Sequence, residues 1–354
     1  MPTTVVKTIG SAGGRDYSTL QAWEDAAPAN LVTADQIWRG ECYNDSEFTV
    51  GQNALLTIAG STTDATRYKE LTAAAGQSFQ DAAGVRTNAL TYNQANGVGI
   101  SKTGNYIGAI YVDENNVHLS RLQIKNTATS GATIREHYEN NVDLSAVYKD
   151  LIVQGVGGTD GNYCSMAIQG NDTLINVCVL VTDNGTYGIF AYATVSGNTF
   201  IGCSVIRTTN QAASGTGINV QYGTTSVLKS CAIFGFTTVV TAGKWDTTAS
   251  KNNATDAASG LPGSSNNHSV TFTGTTPFTQ ASMTGNDLRP VSGTTLAVNG
   301  FLDATNAPND ISAQARTATP TIGVWELGFV APRTLIAGKR RRGAWSVSSP
   351  GTFF

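Results

Sequence analysis

The chain of 354 residues carries 22 lysines and arginines against 25 aspartates and glutamates, so its formal net charge is −3. Hydrophobic residues make up 40% of it and charged residues 13%, which excludes a disordered chain and a broadly basic nucleic-acid-binding protein. The 38 glycines, with many threonines, asparagines and serines, favour strands and turns over long surface helices. We therefore expect one large β-rich domain or two modest ones.

Targeting and redox signals are absent from the sequence. Residues Met1 to Lys7 show no basic region followed by an apolar stretch, so we predict no signal peptide. No apolar run approaches the ~18 residues of a membrane helix, so we predict no membrane contact. The cysteine count is odd and no C-x-x-C occurs, which predicts free buried thiols and assembly in a reducing cytosol. These cysteines are Cys42, Cys164, Cys178, Cys203 and Cys231.

The first predicted element is a helix within an N-terminal cap (1–40). The stretch Asp16–Pro28 has Ser18 as its predicted N-cap and Gln21 three residues later, as in a capping box, and Pro28 ends it. Strand-like sequence follows. The main body is predicted at 41–330, with a polar, loop-rich excursion at 61–105.

A repeat dominates residues 106–240. Five segments, 25 to 29 residues apart, align with three apolar columns. A second apolar column precedes most copies, and turn clusters rich in Gly, Asn and Asp lie between the strand-like runs. The first set of columns is Leu119, Tyr148, Ile175, Phe200 and Leu228; then Leu122, Leu151, Cys178, Cys203 and Cys231; then Ile124, Val153, Leu180, Val205 and Ile233. The second set is Ile110, Ile168, Ile189 and Ile218.

This periodicity predicts an all-β parallel solenoid. One coil cannot bury its inward residues alone, so stacking the coils builds the core. A leucine-rich repeat needs a fixed leucine frame that is missing here. A β-sandwich should show hairpin turns and strict alternation without in-phase repetition. The cysteine column is interpreted as a stack of small inward hydrophobic residues, since no His or carboxylate recurs in phase.

Two stretches that follow the repeat region resemble the right-handed parallel β-helix proteins of the pectin-lyase-like superfamily. Asp287–Gly300 looks like the segment that closes many such helices. Asp310–Arg316 followed by Ile322–Glu326 is similar to their terminal D-x-x-G-x-x-R…I-G-A-x-E pattern, with Ala313 at the usual Gly and Val324 at the usual Ala. The resemblance implies a right-handed parallel β-helix with a closing segment at 287–327, a short N-terminal capping helix and an extended C-terminal tail.

The opening stretch from Gly10 to Trp23 looks like the N-terminal cap common in bacteriophage members of that superfamily. The resemblance covers roughly residues 7–327. It implies a homotrimer, as in phage β-helix spikes. It also implies a protein of the virion, assembled in the host cytoplasm.

Catalytic chemistry is not readable from the repeats. A general acid/base pair needs carboxyl groups ~5–9.5 Å apart, so acids should recur in phase, and Asp150, Asp172 and Asp183 have no acidic equivalents beside them. We predict no catalytic, cofactor or metal site, leaving open a site assembled out of phase. The charged patch Arg135–Glu139 is predicted as a surface loop and is the best single candidate for a ligand contact. The histidines are scattered, with His118 expected to point outward: His118, His137 and His268.

The tail (331–354) differs in kind. It combines a basic cluster with aromatic residues, and a merely solvated tail rarely carries exposed aromatics. It is predicted to dock on a partner protein, with the aromatics as anchors and the cations as ion-pair partners; a solvated tail, or binding of an acidic surface, are the alternatives. The predicted docking residues are Arg333, Lys339, Arg340, Arg341, Arg342, Trp345, Phe353 and Phe354.

Two functions from the same fold class remain. The first hypothesis is a structural bacteriophage virion protein, a β-helical knob that decorates or cements the head and attaches to capsid or other virion proteins. The alternative is a tailspike or receptor-binding protein that binds or depolymerises host surface polysaccharide. Against this alternative, the helix begins near residue 7 and leaves no room for an N-terminal anchoring domain. A bacterial polysaccharide lyase is disfavoured because no signal peptide is predicted.

Overall fold

The structure is a computed structural model. It describes residues 1–50, 56–85, 88–103, 108–128, 131–136, 144–155, 164–182, 187–192, 197–207, 215–223, 225–257, 259–263, 265–269, 278–280, 287–290, 296, 299–318 and 320–326.

Its described regular elements are two short helices and 24 strands, with two brief 3₁₀ turns at 79–81 and 94–96. The helices are α1 (Leu20–Asp25) and α2 (Leu31–Ala34). The strands are β1 (Thr3–Ile9), β2 (Gln36–Cys42), β3 (Phe48–Val50), β4 (Leu56–Ala59), β5 (Lys69–Ala73), β6 (Gly99–Lys102), β7 (Ile110–Asp113), β8 (Val117–Ser120), β9 (Gln123–Asn126), β10 (Ile134–Glu136), β11 (Val147–Gly155), β12 (Cys164–Ile168), β13 (Thr173–Val181), β14 (Tyr187–Ala191), β15 (Thr199–Ile201), β16 (Ser204–Arg207), β17 (Thr216–Val220), β18 (Val227–Lys229), β19 (Ala232–Phe234), β20 (Thr238–Val240), β21 (Ala254–Thr255), β22 (His268–Ser269), β23 (Phe278–Gln280) and β24 (Asp287–Pro290).

The strands form two stacked parallel sheets. Sheet B contains β4, β7, β10, β12, β14, β17 and β20, and sheet A contains the other strands up to β22. Successive strands of one sheet belong to successive coils, so each coil crosses both sheets and hydrogen-bonds to the coils before and after it. Only β23 and β24 pair antiparallel among the described strands. This architecture confirms the predicted all-β parallel β-helix.

Sheet A bends along a line of residues in the left-handed region. Arg121, Asp150, Asn176, Gly202 and Ser230 occupy equivalent places in successive coils, with φ between 52° and 61°. Left-handed φ turns the chain sharply, and glycine, asparagine and aspartate tolerate it best. This line divides sheet A into two faces, so the coil has three sides.

The inward stacks confirm the predicted columns in four of five copies. Leu119, Tyr148, Leu174, Phe200 and Leu228 are in register across neighbouring coils. These side chains are completely buried in the main core. All fifteen residues of the three predicted columns in sheet A are buried.

In the third copy of the repeat, the predicted core positions are wrong by one residue. Val177 follows Leu151 in register, and Val179 follows Val153, so Leu174, Val177 and Val179 face the main core. The predicted Ile175, Cys178 and Leu180 lie on the opposite face of β13 and are buried in separate clusters. In sheet B, the residue in register with Ile189 is Met166 rather than the predicted Ile168.

The closing segment covers the outer face of sheet A and explains this second buried layer. Cys178 and Leu180 pack in one cluster with Ile311, Val324 and Trp325. Because β13 is apolar on both faces, its hydrophobic pattern has no phase by itself. The closing segment therefore covers the outer face of sheet A and shields it from solvent.

Arg316 ties the closing segment to the bend line. Its guanidinium donates to Asn176 Oδ1 at 2.9 Å and to the carbonyl oxygens of Gly323 at 2.8 Å and Thr321 at 3.1 Å. The Glu326 carboxylate lies 3.8 Å away. A Cβ atom at Gly202 would lie 2.8 Å from Arg316 Nη2, so a larger residue there would have to displace this guanidinium.

The motif around Asp310 matches its sequence-based interpretation as a terminal closure. The Asp310 carboxylate accepts from the backbone N–H groups of Ser312, Gln314 and Glu326 at 2.7 to 2.9 Å. Ala313 has a φ of 64°, which glycine adopts at less cost than alanine. The motif therefore carries a local strain at the position where it departs from the family pattern.

The N-terminal cap differs from the prediction in two details. Thr19, not Ser18, is the N-cap of α1, and it accepts from the Ala22 N–H at 3.1 Å. The helix also begins later than Asp16 because the Asp16 carboxylate bonds to the backbone N–H and hydroxyl of Thr8 and holds that stretch against β1.

The predicted loop-rich excursion at 61–105 contains two strands of sheet A, β5 and β6. Strand β5 has a polar sequence and still packs within sheet A, because its charged residues are paired. Lys69 is buried between Glu24, at 2.6 Å, and Glu114, at 2.8 Å, and Glu70 pairs with Arg39 at 2.7 Å. Burial raises the pKa of Glu24, whereas the Lys69 charge lowers it.

Candidate functional site: a groove on sheet B

A groove of about 360 Å³ lies on sheet B, along strands β10, β12, β14 and β17. Its volume falls in the range of small-ligand sites, about 300–1,000 Å³. Because these strands belong to four successive coils, side chains far apart in sequence line one continuous surface, with neighbouring strands about 4.8 Å apart.

Aromatic rings form one wall of the groove. Tyr187, Phe190 and Tyr192 come from β14 and its end, and all three are half-buried. The centroids of Tyr187 and Phe190 lie 5.2 Å apart, and those of Phe190 and Tyr192 lie 6.2 Å apart. The exposed Tyr222 continues the row, with its centroid 5.1 Å from that of Tyr192 in an edge-on arrangement. Half-exposed rings of this kind offer apolar faces that a ligand can contact without any part of the protein unfolding.

Amide side chains lie beside the rings. Asn219 lies on β17, and Gln169 and Gln221 come directly after β12 and β17. The Asn219 amide oxygen accepts from the Thr241 hydroxyl at 2.6 Å. Gln169 is 1% exposed, and its amide oxygen is buried with no hydrogen-bond partner. The groove therefore combines apolar ring faces with amide donors and acceptors.

A buried carboxyl pair lies beneath this surface. Glu136 is 2% exposed; its carboxylate accepts from the Tyr148 hydroxyl and from the backbone N–H of Gln169, and shares a hydrogen bond with Asp172. Two carboxyl groups can share a hydrogen bond only if one is protonated. Burial raises the pKa of Glu136 well above its usual range, and the Asp172 charge raises it further. The pair therefore anchors the backbone of Gln169 at the groove.

The raised pKa makes stability depend on pH. Glu136 stabilises the fold fully below its usual pKa of 4.5, and this contribution is lost as pH rises through the higher folded-state pKa. One such carboxyl gives a slope of up to about 1.4 kcal/mol per pH unit. We expect Glu136→Gln to flatten the decline of unfolding free energy above pH 4.5, measured by urea titration at several pH values. Glu41→Gln is the matched control and should keep the wild-type slope. If Glu136→Gln also kept the wild-type slope, the raised pKa would not belong to Glu136.

The structure relocates several sequence-predicted candidates. Arg135 and Glu136 lie on strand β10, not in a surface loop, and both line the groove; 137–139 lie outside the described residues. Asp150 and Asp172, which lack in-phase acidic equivalents, form hydrogen bonds within the coils. Asp172 caps its turn, accepting from Gly170 N–H at 2.9 Å, and it is buried.

Asp150 is half-buried at the bend of sheet A, where it accepts from the Asn176 amide at 2.9 Å. Its burial raises its pKa to about 6. His118 stacks on Tyr68 on the outer face of sheet A, with ring centroids 3.8 Å apart. Burial there lowers the pKa of His118 to about 4. Neither group belongs to the groove.

The predicted docking residues lie outside the described residues: Arg333, Lys339, Arg340, Arg341, Arg342, Trp345, Phe353 and Phe354. So do His137 and Asp183. All five cysteines are free and buried, which confirms the thiol prediction. Within the described ranges, no group of three or more His, Cys, Asp or Glu side chains is arranged to hold a metal ion. No described helix is long and apolar enough to cross a membrane.

Sequence reasoning missed the groove for an identifiable reason. Most of its residues occupy outward positions of the coils, where apolar and polar residues are mixed, as on any half-exposed sheet face. One signal was present: aromatic residues recur at Tyr187, Phe190 and Tyr192, three positions on a single short strand and its end.

Comparison with known proteins adds little beyond the architecture. The chain matches no family model and no curated protein sequence. Among solved structures it is similar to the crystal structure of pectate lyase Pel9A, at 10% sequence identity and a TM-score of 0.46. The match covers 93% of this chain and 97% of that one.

Proposed function

We propose that this protein binds a polysaccharide in the groove of sheet B, as a β-helical protein of a bacteriophage particle that contacts host surface glycan. The observation that carries the proposal is the row of half-buried rings, Tyr187, Phe190 and Tyr192, beside the amides of Gln169, Asn219 and Gln221. The groove favours the glycan-binding alternative over decoration alone.

The chemistry of the groove suits sugars. A sugar ring has an apolar C–H face that packs on an aromatic face, whose π-system is electron-rich, while its hydroxyl groups need donors and acceptors such as side-chain amides. Parallel coils repeat these groups at a regular spacing, which suits a polymer with repeating units. Glu136 is the only carboxylate among the described lining residues, so these residues lack the pair of carboxyl groups that glycoside hydrolysis uses, and we propose binding without cleavage.

Removing one ring tests the proposal. We expect Phe190→Ser to weaken binding of an isolated host surface polysaccharide roughly 30-fold, because loss of a central aromatic anchor commonly costs ~2 kcal/mol. Calorimetry on a panel of bacterial surface polysaccharides measures this. Tyr68→Ser is the matched control, since Tyr68 is half-buried and stacked on His118 outside the groove, and it should bind like the wild type. Failure of every polysaccharide in the panel to bind would overturn the proposal.

A second proposal rests on the sequence of residues 331–354. There, a cluster of five cations flanked by three aromatics suits docking to capsid or other virion proteins, and so supports a role as a trimeric knob that decorates or cements the head. The two roles are compatible in one molecule that is anchored by its tail and binds glycan on sheet B. Loss of the chain from purified particles on deletion of 331–354 would support docking, and its presence at normal copy number would exclude it.

A further inference from the structure

Gln169 carries an unsatisfied hydrogen-bond acceptor at the groove. Its side chain is 1% exposed, and its amide oxygen has no partner. Its backbone N–H is held by Glu136 Oε2, so the residue cannot easily move away. A buried acceptor left unpaired costs about 1–3 kcal/mol, and a ligand donor that reaches it would recover that free energy.

On its β12 side the groove near Gln169 is apolar apart from this amide, whereas the polar Arg135 lies on β10, in register with Ala167. Ala167, Ile168 and Cys164 share the β12 side of the lining with it, and Ile168 and Cys164 are nearly fully buried. Phe190 lies on the neighbouring strand, in register with Ala167. The groove thus places one acceptor that lacks a donor among small apolar groups.

A 2-acetamido group fits this combination. Its amide N–H donates and accepts nothing, and its methyl group needs an apolar seat. A sugar hydroxyl also donates, but it brings no methyl group to the apolar lining. Building on the glycan-binding proposal, we infer that the groove selects polysaccharides containing N-acetylated amino sugars, with the acetamido N–H donating to Gln169 Oε1 and the methyl group packing against Ala167 and Phe190.

Monosaccharide pairs that differ only at one substituent provide the test. The probes are N-acetylglucosamine, N-acetylgalactosamine and N-acetylmannosamine, each against its parent hexose, with the full chain and saturation-transfer NMR to measure affinity. We expect at least one N-acetyl sugar to bind about tenfold more tightly than its parent, with the strongest saturation on the acetyl methyl protons.

Two variants assign the preference to its residue. Gln169→Met keeps the length of the side chain and removes the acceptor, and it should abolish the preference for the N-acetyl sugar. Gln221→Met removes an exposed amide from the same groove and should lower the affinity for both members of a pair without changing their ratio. Circular dichroism and thermal unfolding establish that both variants are folded. If Gln169→Met does not fold, Gln169→Leu provides the second variant; it also lacks an acceptor and should likewise abolish the preference.

The outcomes separate this inference from the proposal on which it rests. Equal or tighter binding of the parent hexoses would overturn the N-acetyl selectivity while leaving glycan binding in place. A preference that survives in Gln169→Met would overturn the role of Gln169. If no monosaccharide and no polysaccharide of the panel binds, both the proposed function and this inference fail.

Discussion

Replacing Arg316 by methionine should destabilise the protein by about 3–5 kcal/mol, because it leaves a buried carboxylate and several carbonyl oxygens without their cation. Arg316 is the only described side chain that joins Asn176 on the bend line to the carbonyl oxygens of the closing segment and to Glu326. Its loss should release that segment before the coils unfold, exposing Cys178 and Leu180. Hydrogen exchange of sheet A and urea unfolding measure the two effects.

Arg67→Met is the matched control. Arg67 pairs with Asp35 and Asp64 at the surface, where solvent screening leaves an ion pair little effect on stability. If Arg316→Met lost no more stability than Arg67→Met, the closing segment would not depend on this arginine, and its apolar contacts and remaining hydrogen bonds would be enough to hold it.

Introducing aspartate at Cys203 should also cost several kcal/mol. The side chain is fully buried between neighbouring coils, with its sulfur 3.5 Å from the Leu174 carbonyl oxygen and its backbone N–H 3.4 Å from Cys231 Sγ. The described core residues around Cys203 are apolar, so a carboxylate there either stays charged at a large desolvation cost or takes up a proton. The penalty should therefore decrease at low pH.

Cys203→Ala separates the effect of charge from that of packing. It removes the sulfur without adding a polar group and should cost about 1 kcal/mol. Urea unfolding of both variants at pH 4 and pH 8 gives the comparison. A Cys203→Asp protein as stable as Cys203→Ala at pH 8 would show that this position is not sealed within the stack.

The sequence alone determined the repeat and its inward columns. Wherever one face of a strand meets the core and the other meets solvent, the apolar residues recur in phase, as at Leu119, Tyr148, Phe200 and Leu228, and the phase can be read directly. The capping helix was predictable for a related reason, since an N-cap hydroxyl and a following proline mark its ends locally. The N-cap position was missed by one residue because adjacent Ser18 and Thr19 offer equivalent hydroxyl groups.

Tertiary structure decided the phase of β13. Its run Leu174–Val181 is apolar at nearly every position, so either alignment satisfies the hydrophobic pattern. The closing segment buries the outer face of the strand, and the contact of Asn176 with Arg316 joins residues 140 positions apart. A residue-level signal existed nonetheless: Asn176 tolerates left-handed φ better than Val177 does, and aligning it with Gly202 and Asp150 would have corrected the register.

The groove and the carboxyl pair beneath it also depended on the folded coils. Glu136 and Asp172 show no in-phase spacing, because one ends a strand of sheet B and the other lies in the turn after the next strand of that sheet. Only the stacking of coils brings them within hydrogen-bonding distance. Local pattern determines which residues face the core of a solenoid, whereas the chemistry of its outer surface arises between coils, where no short stretch of sequence records which side chains are neighbours.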